Sequence, residues 1–84
     1  MIALTIYSRP GCHLCDDMKA VVQRVAHTGG IPISIAEIDI STDPALEARY
    51  GLEIPVLMVE GKKTAKYRIT DDELMRVLRG RSRG

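Results

Sequence analysis

The chain has 84 residues, enough for one domain with one modest core and too few for a second. Apolar residues make up 45% and charged residues 27%, which is the balance of a folded globular chain, and the absence of Trp and Phe makes that core aliphatic. A net charge of +1 gives no field that argues for nucleic acid or membrane, and the locally basic end at Arg76, Arg79, Arg81 and Arg83 reads as a cationic helix C-terminus running into a solvated tail.

Met1-Ile2-Ala3-Leu4 lacks the basic lead of a signal peptide, and no stretch approaches the roughly 20 apolar residues that span a bilayer, so the cytoplasm is the expected compartment. Ile2 to Tyr7 is rich in β-formers and apolar on both faces, as in a central strand, and it ends at the turn cluster Ser8-Arg9-Pro10-Gly11. From Cys12 to His27 the spacing of Leu14, Met18, Val21, Val22 and Val25 predicts a helix, stopped by Gly29-Gly30. Pro32 introduces a second strand, Ile33 to Ile40, whose alternation slips near Ala36, as a bulge or burial on both faces would make it do.

Asp43-Pro44 is a helix start, with an N-cap followed by proline at the first helical position, and the short helix Ala45 to Tyr50 ends at Gly51. Ile54 to Val59 is a third strand with Pro55 near its start, and Glu60 to Lys63 forms a hairpin connection into an edge strand, Thr64 to Arg68. Thr70-Asp71-Asp72-Glu73 is a capping box flanked by Ile69 and Leu74, and it opens a last helix that Gly80 ends. The order is β-α-β-α-β-β-α. The helical crossover makes the first two strands parallel, and helices cover both sheet faces.

Both cysteines, Cys12 and Cys15, lie at the start of the first helix, three residues apart and on one face within disulfide reach. Cys12 stands where backbone N–H groups lack partners and the helix dipole is positive, an environment that favours a thiolate. Cys15, one turn in, is the more buried. Cys12 is therefore the expected nucleophile on a substrate disulfide, and Cys15 the residue that resolves the mixed disulfide. In a reducing compartment such a pair is redox-active or metal-binding rather than a staple. A four-ligand zinc site would need His13 and His27, one inside the motif and the other about four turns along the helix, so no metal is expected.

The strand ending in Tyr7-Ser8, Arg9 three residues before the first cysteine, Gly11, and Cys12-His13-Leu14-Cys15 resemble the thioredoxin superfamily, most closely its glutaredoxin-like branch. Ile54-Pro55-Val56 is similar to that family's cis-proline motif and Glu60-Gly61-Lys62 to its strand-turn, so the resemblance covers nearly the whole chain. It implies an α/β, thioredoxin-like fold of the glutaredoxin type: a four-stranded mixed sheet in a single domain over residues 1–80, with a basic tail at 81–84. It further implies that Pro55 is cis and faces Cys12, leaving the Ile54 backbone free to pair with a bound chain. Tyr7 and Arg9 are then placed to contact a glycine carboxylate. His13 joins the substrate-binding set and, when protonated, assists the Cys12 thiolate, which Asp16 opposes.

Two departures stand out. The family's Gly-Gly pair and following acidic residue, which hold the γ-glutamyl end of glutathione, fall by position at Ala65-Lys66 and Ile69, and the Pro-Tyr dipeptide between the cysteines is replaced by His13-Leu14. The chain is similar to small bacterial glutaredoxin-like redoxins.

The expected function is thiol–disulfide oxidoreduction on protein or small-molecule disulfides by a monomer with no bound cofactor, with glutathione or a thioredoxin reductase as electron donor. Two other readings of the same residues are a thioredoxin-fold adaptor with little turnover and a metal-binding C-x-x-C protein.

Overall fold

In a computed structural model that describes residues 1–82, four strands and three helices follow the order read from the sequence. Strand β1 (Ile2–Ser8) leads to helix α1 (His13–Gly29) and strand β2 (Ile33–Asp39), followed by helix α2 (Pro44–Tyr50), strands β3 (Val56–Val59) and β4 (Lys62–Lys66), and helix α3 (Asp71–Ser82). The sheet order is β2-β1-β3-β4, with β1 parallel to β2 and antiparallel to β3, and β4 antiparallel to β3.

The alternation along β1 divides the core. Ile2, Leu4 and Ile6 meet Leu57 and Val59 of β3, Met18, Val22 and Val25 of α1, and Leu74 and Leu78 of α3 on one face of the sheet. On the opposite face, Tyr7 and Val56, which are register partners, join Ile40, Tyr50, Leu46, Ile54 and Met58 in a smaller cluster under α2. Helices therefore cover both faces, with α1 and α3 together on one and the short α2 on the other.

Several boundaries differ from those expected, each for a local reason. The register of β2 against β1 is unbroken from Ile2–Ile33 to Ser8–Asp39, so the slip near Ala36 is not a bulge in that pairing. Ile33 and Ile35 pack against the main core, whereas Ile40 belongs to the cluster under α2, and the side chains change faces to suit. Ile40 itself is fully buried in a 3₁₀ turn, Ile40–Thr42, rather than in the strand. The bulge lies instead between β3 and β4, at Leu57/Met58.

The hairpin is tighter than the sequence suggested. Glu60 (φ 52°) and Gly61 (φ 78°) both take positive φ, the signature of a two-residue type I′ turn, and Val59 pairs with Lys62. β4 thus begins at Lys62, two residues earlier than read, because Glu-Gly carries a weaker turn signal than Asn-Gly or Asp-Gly. Gly80 does not stop α3, which runs on to Ser82, so Arg81 is helical rather than part of a tail; Arg83 and Gly84 lie outside the described residues.

The capping box is formed as read: the Thr70 amide donates to Glu73 Oε1 and the Glu73 amide to Thr70 Oγ1, both at 3.1 Å. Arg24 of α1 donates two hydrogen bonds of 2.7 Å to Asp71, the first residue of α3, and so ties the two helices that share a face.

Two outcomes test this packing. Leu74→Ala, at a fully buried site, is expected to lower the unfolding free energy by about 2–5 kcal/mol in urea titration, far more than Arg24→Ala, which removes a half-exposed ion pair. The second concerns acid. The carboxyls of Asp71, Glu53, Asp39 and Glu73 are each held below their ordinary pKa, by hydrogen bonding from Arg24, Lys63, Ser41 and Thr70 respectively. A carboxylate depressed in the folded state contributes stability above its unfolded pKa and loses it as pH falls through the folded value. The urea midpoint is therefore expected to hold from neutrality to about pH 5 and to fall below about pH 4.

Candidate active site at the start of helix α1

β1 delivers the chain to Ser8 at one end of the sheet, and Arg9 to Gly11 turn it into α1, with Gly11 at φ 79° where a side chain would be strained. Cys12 is the N-cap of α1: its backbone is extended (φ −92°, ψ 108°) and its Sγ accepts a hydrogen bond from the Cys15 amide at 3.1 Å. The sulfur thus occupies the position of the usual cap oxygen and takes up one of the helix's unpartnered N–H groups. Cys12 and Cys15 are joined in a disulfide, their Cα atoms 5.2 Å apart. Access to the pair is unequal, with Cys15 only 2% exposed and Cys12 partly open to solvent.

The other end of the site comes from the segment before β3. The Ile54–Pro55 peptide bond is cis, and Pro55 is buried one residue beyond the Val56–Tyr7 register pair, next to the end of β1 from which the cysteine loop springs. Ile54 is half-buried and packs in the cluster under α2, to which Tyr7 also belongs.

The remaining predicted site residues have partners of their own. The Tyr7 ring stacks on Tyr50, with centroids 4.5 Å apart and planes at 17°. The Arg9 guanidinium pairs with the Glu47 carboxylate of α2, which holds the cysteine loop to that helix and gives Arg9 an internal acid as its partner. His13 is the exposed first residue of α1. On the other side of the loop, Ser8, Arg9, Pro10, Gly11, Asp16, Glu37 and Asp39 line a cleft of about 290 Å³. Among the described residues, no group of three or more His, Cys, Asp or Glu is placed to hold a metal ion, and no helix is long and apolar enough to cross a membrane.

Of the positions where a γ-glutamyl site would stand, Ala65 and Lys66 are in β4, and Ile69 packs against the main core. Sequence reasoning missed Glu47, Tyr50 and Tyr67, which the fold brings to this end of the molecule. Tyr50 carried a signal, as one of only three aromatics in the chain. Nothing local marks Glu47 as the partner of a residue 38 positions away.

Residues 3–79 match the family described as Glutaredoxin-like domain (DUF836). The chain belongs to this family. A glutaredoxin-like protein of Dictyostelium discoideum, described as a YDR286C homolog, is 27% identical over 77 residues, covering 87% of this chain and 71% of that protein. The solution structure of Ne2328 from Nitrosomonas europaea superposes with a TM-score of 0.77 at 28% identity, covering 92% of this chain and 91% of that one. Chloroplastic thioredoxin z superposes over 100% of this chain and 80% of its own, with a TM-score of 0.76 at 14% identity, a likeness of fold alone. The protein is thus a glutaredoxin-like member of the thioredoxin superfamily, with the thioredoxin-like fold.

The cap geometry makes its own prediction. Under reducing conditions Cys12→Ser, which keeps a cap acceptor, is expected to unfold in urea close to the reduced parent. Cys12→Ala is expected to be less stable by about 0.5–2 kcal/mol.

Proposed function

We propose that this glutaredoxin-like protein is a dithiol–disulfide oxidoreductase. The observation that carries the reading is the unequal pair at the start of α1, in which Cys12 is partly open and caps the helix while Cys15 is buried beneath it. In the reduced protein, the unpartnered N–H groups and the positive end of the helix dipole favour the Cys12 thiolate over the thiol. That thiolate attacks one sulfur of a substrate disulfide, forming a Cys12–substrate disulfide and expelling the other substrate sulfur as a thiolate, which takes up a proton. Cys15, losing its proton, attacks Cys12 Sγ and expels the second substrate thiolate. The substrate has then gained two electrons, and Cys12–Cys15 is the disulfide of the present structure.

Ile54 and Pro55 supply an edge on which an extended substrate chain adds by backbone pairing. Tyr7 and Arg9 serve the site from behind, Tyr7 through its stack on Tyr50 and Arg9 by holding the cysteine loop to Glu47. His13 lies exposed between the cysteines, where it meets the substrate. The oxidised pair regains two electrons from glutathione or from a thioredoxin reductase. Lys66 in the edge strand and the core-packed Ile69 offer no acidic grip for a γ-glutamyl end, which favours the reductase route. The reaction belongs to a reducing compartment, the cytoplasm by expectation, and is carried out by a monomer.

The test is direct. The reduced wild-type protein is expected to cleave insulin and 2-hydroxyethyl disulfides, and Cys12→Ser is expected to be inert. Cys15→Ser should accumulate a mixed disulfide, visible as a mass increase on intact-protein spectrometry and reversed by dithiothreitol. A wild-type protein that reduces neither disulfide, with Cys12 no more readily alkylated at neutral pH than free cysteine, would sink the reading. Recovery of the dithiol, followed with glutathione and with thioredoxin reductase in parallel, identifies the donor.

A further inference from the structure

Tyr67 follows directly on β4 with its backbone at φ 67°, a left-handed conformation that a bulky side chain seldom takes. A residue kept there has to be over-determined by its surroundings. Two hydrogen bonds do this: the Tyr67 amide donates to the Pro55 carbonyl at 2.8 Å, and the phenol donates to the Leu52 carbonyl at 2.7 Å. Both acceptors lie on the segment between α2 and β3, the one that carries Ile54 and Pro55.

Beyond the buried Pro55 ring at its end, that segment has few other anchors. The Leu52 side chain is 92% exposed and holds nothing in place. The Glu53 amide bonds back to the Tyr50 carbonyl at 2.8 Å, and the Glu53 carboxylate pairs with Lys63 in a partly exposed ion pair of small worth. Ile54 contributes a half-buried side chain to the cluster under α2. Tyr67 therefore grips the segment on both sides of Ile54, by its ring oxygen at residue 52 and by its backbone at residue 55.

We propose that Tyr67 is a positioning residue of the redox site. It straps the Leu52–Pro55 segment so that the Ile54 backbone is presented as a fixed edge to the chain of a polypeptide disulfide. This rests on the oxidoreductase reading above and deepens it, because it makes extended polypeptide disulfides the substrate class for which the strap matters. A small disulfide reacts at Cys12 without any chain to lay along Ile54. Loss of the strap therefore separates the two substrates, whereas general damage to the fold or to the cysteines does not.

Tyr67→Phe deletes one oxygen and keeps the ring and the backbone bond. Tyr67→Gly removes the whole side chain at a φ that glycine takes freely, so strain does not confound the result. For both variants, as full-length reduced protein in single turnover, the second-order rate with insulin is expected to fall about 3- to 10-fold, in line with loss of one hydrogen bond. The rate with 2-hydroxyethyl disulfide is expected to stay within about twofold of wild type, since no hydrogen bond to the reacting atoms is lost. Amide hydrogen exchange at Glu53 should quicken by a similar factor while exchange in α1 stays as in wild type. An unchanged insulin rate, an equal loss with both disulfides, or unchanged exchange at Glu53 overturns the proposal. If wild type reduces neither disulfide, it is the oxidoreductase reading that fails, and the exchange measurement still decides whether Tyr67 holds the segment.

Discussion

The first turn of an α-helix has N–H groups with no partners inside the helix, and in this protein a sulfur meets that need. Cys12 Sγ, 3.1 Å from the Cys15 amide, makes the cysteine the structural cap of α1. The rest of the fold keeps that cap in place. β1 sits between two strands and delivers the chain to a fixed end of the sheet. The Arg9–Glu47 pair holds the turn between strand and helix, and Met18, Val22 and Val25 lock the helix onto the main core. A C-x-x-C sequence with no such support would present two similar thiols; here burial makes them different.

The core is divided to serve this end of the molecule. The large aliphatic cluster between the sheet and the α1–α3 pair carries most of the buried apolar surface and hence most of the stability. The small cluster under α2 contains Tyr7, Tyr50, Ile54 and Val56, residues from β1, α2, the Ile54–Pro55 segment and β3. A seven-residue helix has little intrinsic stability, and packing of Leu46 and Tyr50 against the sheet supplies what propensity does not. The exposed ion pairs between elements add direction more than energy.

Membership in the glutaredoxin-like family rests on a match across residues 3–79, and the fold on superposition with solved structures. At the positions where the resemblance placed a γ-glutamyl site, the structure has Ala65 and Lys66 in β4 and Ile69 beyond it. Lys66 points to the solvent side of an edge strand and Ile69 turns to the core. The Cys12–Cys15 pair and the residues at those positions are separate features of the fold, one at the start of α1 and the other at and beyond the edge strand β4.

Local physics fixed those features that depend on neighbours in the chain. The cysteine spacing, the Asp43-Pro44 start of α2, the Thr70–Glu73 box and the order of elements each follow from interactions within a few residues, and each stands in the structure where it was read. Features that depend on distant partners were decided by tertiary structure. Glu47 becomes the partner of Arg9, 38 residues away, and Tyr67 the strap on Leu52, 15 residues away, and on Pro55 only when these chain segments are folded together. The same holds for β2, where Ile33 and Ile35 pack against one layer and Ile40 against another, so that periodicity alone could not tell a bulge from burial on both faces. A sequence records which groups need a partner; the fold determines which partner they obtain.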